Sequence, residues 1–150
     1  MAVLTHVVNP ARRERNEVDQ VTAAVTLTAA DSGKWYELAA SAGVTVTLPA
    51  VSSGLNFRFV VANAFDTSNY IIDSAEGDNI DGNLIVNGAA VAASGEDQIN
   101  FVASAESVGD FIDIWSDGNK WYVWGIGNSA GAPFTIKFPS ILSPSALSII

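Results

Sequence analysis

The chain contains no cysteine and a single histidine, His6, and each scarcity removes a class of chemistry. Without cysteine there is no disulfide framework, thiol nucleophile or thiolate metal site, and the redox state of the compartment leaves no mark on the sequence. A Ser-His-Asp triad would have to recruit His6 from near the chain start, and no Gly-x-Ser-x-Gly elbow supplies a nucleophile. Gly125-Ile126-Gly127 is not a dinucleotide fingerprint, because Gly131 falls one place late and no helix is predicted after it. Basic residues are also few, 7 against 16 acidic for a net charge of −9. Arg12, Arg13 and Arg15 sit near the start among Glu14, Glu17 and Asp19, while Lys34, Arg58, Lys120 and Lys137 are scattered. Replacing phosphate counterions takes clustered cations, so nucleic acid is not an expected partner. No apolar run reaches the roughly 20 residues of a membrane span. The apolar C-terminal segment 134–150 is broken by Pro139 and Pro144 and by several serines. Met1 to Val8 lacks the basic start and long apolar stretch of a secretory leader, and no such leader is expected.

What remains is apolar and weakly charged: 49% hydrophobic and 15% charged residues in 150. A chain of this length fits one domain and buries roughly 68–70% of its unfolded surface. So low a charge fraction implies a weakly polar exterior, as where partner subunits cover part of a surface, and an oligomer is expected.

The pattern is that of short strands. Ile112-Asp113-Ile114-Trp115 alternates strictly, Ser116-Asp117-Gly118-Asn119 can turn, and Lys120-Trp121-Tyr122-Val123-Trp124 returns as an aromatic strand. A weaker version of the same grammar runs through Asp31-Ser32-Gly33-Lys34-Trp35-Tyr36. Val44-Thr45-Val46-Thr47-Leu48 alternates before Pro49 ends it, Phe57-Arg58-Phe59 places Arg58 outward, and Asn87-Gly88 suits a hairpin turn. Candidate strands cover 21–28, 34–40, 44–48, 57–63, 70–73, 83–86, 89–93, 98–103, 111–115, 120–126 and 134–138. Connections this short argue against crossover helices and for antiparallel pairing. The expected fold is all-β, an antiparallel β-sandwich of jelly-roll kind. It comprises an N-terminal arm (1–20), the sandwich (21–138) and an extended C-terminal tail (139–150).

Candidate chemistry is sparse, and no catalytic residue or cofactor is expected. Asp73, Glu76, Asp78 and Asp81 crowd one loop and form a weak Ca²⁺ candidate, although the spacing departs from the EF-hand and a solvated acidic turn suits it better. Asp113 and Asp117 as a carboxylate pair for glycoside hydrolysis would need a cleft that the sequence does not define. Trp35, Trp115, Trp121 and Trp124 form a candidate aromatic binding surface; strand alternation divides them between core and exterior, leaving both subunit contact and sugar stacking open. In the tail, Leu147, Ile149 and Ile150 lack an evident core of their own and are expected to dock on a neighbour, with Phe138 and Leu142 as further contact residues.

Trp115-Ser116-Asp117-Gly118-Asn119-Lys120-Trp121-Tyr122-Val123, with Gly77-Asp78-Asn79-Ile80-Asp81-Gly82 and Gly43-Val44-Thr45-Val46-Thr47-Leu48-Pro49, resembles the structural β-domains of tailed phages, including capsid decoration (cement) proteins and the β-rich domains of head and tail fibres. The resemblance covers about residues 27–126. It implies a homotrimer on the outer surface of a phage head, bound to the major capsid protein and reinforcing the shell without catalysis. On that reading Arg12, Arg13 and Arg15 would meet acidic capsid groups, and residues 134–150 would lie along an adjacent subunit. A receptor- or carbohydrate-binding domain of a phage fibre is the alternative, using exposed tryptophans as stacking platforms.

Overall fold

The computed structural model describes residues 16–74, 80–128 and 134–137. Twelve strands fall into two sheets: β1 (Val18–Val21), β2 (Val25–Thr26), β3 (Trp35–Leu38), β4 (Thr45–Thr47), β5 (Asn56–Val61), β6 (Tyr70–Asp73), β7 (Ile80–Val86), β8 (Ala89–Glu96), β9 (Gln98–Phe101), β10 (Phe111–Ser116), β11 (Trp121–Gly127) and β12 (Phe134–Lys137). A seven-stranded sheet has the order β1-β3-β5-β10-β11-β7-β8, and a five-stranded sheet the order β12-β9-β6-β4-β2. The all-β sandwich expected from strand periodicity is present.

Its pairing is not uniformly antiparallel, as the jelly-roll expectation required. Ladders β1·β3, β3·β5, β2·β4, β4·β6 and β11·β7 are parallel. Ladders β5·β10, β10·β11, β7·β8, β6·β9 and β9·β12 are antiparallel. From β1 to β6 the chain visits the two sheets alternately. A strand in the opposite sheet therefore does the work that a crossover helix does in other parallel sheets, and each returning strand runs the same way as the last. Among the described residues the short connections hold no crossover α-helix, as expected, but they did not exclude parallel pairing.

The proposed arm is also revised at its inner end. Residues 18–21 form an edge strand whose Val21 is buried, and the peptide is anchored by Trp35 N–H donating to Glu17 O at 2.9 Å. The run expected as one strand over 21–28 breaks where the chain crosses to the other sheet. It ends in a 3-10 turn at Ala29–Asp31, where the Asp31 carboxylate accepts from the Thr28 amide at 2.9 Å and hydroxyl at 2.8 Å.

One core lies between the sheets. Period-2 alternation sends Tyr36, Leu38, Phe57, Phe59, Val61, Ile112, Ile114, Trp121 and Val123 inward from the large sheet, against Val46, Tyr70, Ile72, Ile99 and Phe101 from the small one. Tyr36 stacks on Phe59 at 5.4 Å, and Phe65 meets Tyr70 edge-on at 4.9 Å. The buried Tyr70 hydroxyl accepts from Ala40 N–H at 2.7 Å and donates to Val21 O at 2.8 Å, tying the edge strand to the core. Asn87 and Gly88 both take positive φ and close the β7–β8 hairpin as the Asn-Gly pair predicted.

Candidate functional site, the outer face of the seven-stranded sheet

The alternation that fills the core leaves an aromatic outer face. Because Phe57 and Phe59 point in, Asn56 and Arg58 point out; because Ile112 and Ile114 point in, Phe111, Asp113 and Trp115 point out; and Tyr122 and Trp124 follow on β11. Strand register aligns Trp35, Arg58, Asp113, Trp124 and Asn83 in one row across β3, β5, β10, β11 and β7. Trp35 and Trp124 stand three strand spacings apart in it, about 14–15 Å. The neighbouring row carries Asn56, Trp115, Tyr122 and Asp81.

Arg58 is the centre of this face. Its Nε and Nη2 donate to the two carboxylate oxygens of Asp113 at 2.5 and 2.6 Å, a bidentate pair that raises the guanidinium pKa further. The guanidinium carbon lies 4.7 Å from the Trp35 ring centre and 5.3 Å from that of Phe111. Trp115 stacks on Tyr122 at 6.1 Å, and Phe111 meets Trp124 edge-on at 6.5 Å. Beside Asn56 the face sinks into a hollow of about 160 Å³ between Trp35 and Trp115, backed by Arg58 and Asp113.

The four tryptophans therefore divide. Trp35, Trp115 and Trp124 are 38%, 43% and 40% exposed on one face, whereas Trp121 is fully buried and leaves the candidate surface for the core. It pairs with Ser116 just beyond the turn, so its side chain takes the face of Val123 and opposes that of Trp124. Arg58 and Asn56 were not among the sequence candidates, and Asp113 entered there only as half of a carboxylate pair with Asp117. Alternation had already turned Arg58 outward and put Asp113 on the face of Trp115, but their meeting depends on a β5·β10 register that joins residues 55 apart.

In the acidic loop, Asp81 is already engaged: one carboxylate oxygen accepts from Lys120 Nζ and the other from Gly95 N–H at 2.7 Å, and these contacts hold its pKa below the usual value. Both oxygens of this Ca²⁺ candidate are thus taken by the protein. Asp73 also has its own interactions, and Glu76 and Asp78 lie outside the described residues. Among the described residues no cluster of three or more His, Cys, Asp or Glu could hold a metal ion. The expected contact residues Arg12, Arg13, Arg15, Phe138, Leu142, Leu147, Ile149 and Ile150 likewise lie outside the described residues, as does His6.

Near this loop Glu96 is buried. Its Oε1 accepts from Ser94 N–H at 3.3 Å, and its Oε2 has no partner. Burial pushes its pKa up from 4.5, with the charges of Asp97 and Asp81 adding to the effect. The folded state then binds the proton more tightly than the unfolded chain. The associated stability is complete below the ordinary glutamate value and is lost as pH rises through the raised one. Glu96→Gln should accordingly be more stable than the parent at neutral pH, with that advantage shrinking toward about pH 4. Urea unfolding of both proteins at the two pH values checks this, and a pH-independent difference would contradict it.

Comparison with known proteins finds no protein family, curated protein or solved structure that matches this chain.

Proposed function

We propose that this protein is a virion structural component, a capsid decoration (cement) protein that binds the outer surface of a phage head as a homotrimer. It contacts the major capsid protein and stabilises the shell by bridging neighbouring units, without catalysis. The observation that carries the reading is the edge strand β8. Its residues Ala89, Ala90, Val91 and Ala92 are all exposed, and only β7 pairs with it among the described residues. No lysine, arginine or proline, the usual residues that blunt an open edge, interrupts Ala89–Ser94, and the Gly95 bulge and inward-facing Glu96 come only at its end. A strand partner from a neighbouring subunit accounts for such an edge, since main-chain hydrogen bonds then extend the sheet across the interface. When the edge of one copy meets a different surface of the next, the contact is heterologous, and a rotation of one third of a turn between copies closes it into the trimer. Arms and tails reaching across capsomer boundaries would add weak contacts, and a trimer multiplies these into avidity.

Phage heads stripped of their decoration layer, from the phage that encodes this chain, test the reading. They should take up the purified protein in multiples of three copies and then resist heating better than bare heads. Deleting residues 1–15 or 138–150 should weaken attachment while leaving the sandwich folded. Heads that take up none of the full-length protein would overturn the proposal.

A further inference from the structure

We propose that the hollow between Trp35 and Trp115 binds one hexopyranose ring of an uncharged glycan. The inference goes beyond the decoration reading and does not depend on it. The hollow has two indole walls and a polar back, the combination that suits a sugar, whose C–H faces pack on aromatic rings while its hydroxyls need donors and acceptors at the rim. Arg58 uses Nε and Nη2 on Asp113 and has Nη1 left for a hydroxyl. Asn56 donates to Gly54 O at 3.2 Å and keeps its side-chain oxygen for an incoming donor. At about 160 Å³ the space falls below the roughly 300 Å³ of a drug-sized pocket and suits a single ring whose chain continues across the open face.

Charge selects the class. The protein carries −9 overall, so an anionic glycan is opposed by its field. The two charges at the hollow are locked to each other, so a cation finds no unpaired carboxylate there. An uncharged saccharide meets neither obstacle. The indoles are already held in place: Trp35 lies against the Arg58 guanidinium, and Trp115 stacks on Tyr122.

Full-length protein titrated with neutral malto-, cello-, manno-, galacto- and chito-oligosaccharides, with a sialylated and a sulfated glycan for comparison, tests the site by tryptophan fluorescence and calorimetry. At least one neutral probe should bind saturably. Trp115→Ala and Asn56→Ala should each weaken it about tenfold, while Val108→Ala, exposed in the loop before β10, changes it little. All three side chains are exposed, so these variants should retain the parent near-ultraviolet dichroism apart from the deleted chromophore. Silence across the neutral panel at millimolar sugar would overturn the proposal, as would binding confined to the charged glycans or unchanged in Trp115→Ala. Acrylamide quenching that rises on dilution to single chains would also overturn it, by assigning the face to a second copy.

Discussion

Gly82→Ala should destabilise the domain by at least about 3 kcal/mol, the upper end of the cost of one strained backbone residue. Gly82 lies in β7 directly opposite Val123 of β11, at φ +148°, a conformation that side chains rarely adopt. A Cβ added there would sit 1.9 Å from the Val123 carbonyl oxygen, inside the backbone of the neighbouring strand. The clash adds to the strain and cannot be relieved by turning a side chain. The β7·β11 ladder must open, and that ladder carries the β7–β8 hairpin. With a whole domain worth about 5–15 kcal/mol, such a loss is a large share of the total. Urea unfolding would reveal it as a lower midpoint. A change below about 1 kcal/mol, within the ordinary run of point substitutions, would mean that β7 and β11 are not paired in this register.

Trp121→Ala should cost about 3–5 kcal/mol, the range for emptying a large aromatic site in a core. Trp121 is fully buried and packs against Phe57 with ring centres 6.0 Å apart. Trp121→Phe should cost far less. The indole Nε1 has no hydrogen-bond partner, so the smaller ring loses packing volume but also removes a buried donor whose lack of a partner costs about 1–3 kcal/mol. Trp124→Ala, three residues on and facing outward, should stay within about 1 kcal/mol of the parent. Denaturation midpoints of the three variants check the order. A Trp124→Ala loss equal to that of Trp121→Ala would contradict the division of the tryptophans between core and surface.

Much of this arrangement was legible because a half-buried strand writes its two faces into alternate residues. Val46 and Leu48 inward with Thr45 and Thr47 outward, and Ile112 and Ile114 opposed to Asp113 and Trp115, could be read directly. Strand direction could not, because alternation is the same whether the next strand turns back in its own sheet or crosses to the other. β1 was hidden among charged residues, since in Val18-Asp19-Gln20-Val21 only Val21 reaches the core. The outward aromatics were visible one by one. What makes them a site is the register that brings Arg58 to Asp113 and sets Trp35 and Trp115 on either side of Asn56, and register belongs to the assembled sheet.

The central claim is that copies of this chain associate through the β8 sheet edge, and the most direct test is the native mass of the full-length protein by light scattering after size exclusion, beside Val91→Lys. Val91 is exposed in the middle of β8, where a lysine would be solvated in a single chain and would place a charge in any added strand pair. The account predicts three times the 15.7 kDa chain mass for the parent and a shift toward one chain for the variant, with the β-sheet dichroism of both unchanged. A parent that runs as a single chain at high concentration, or a trimer indifferent to Val91→Lys, would contradict it.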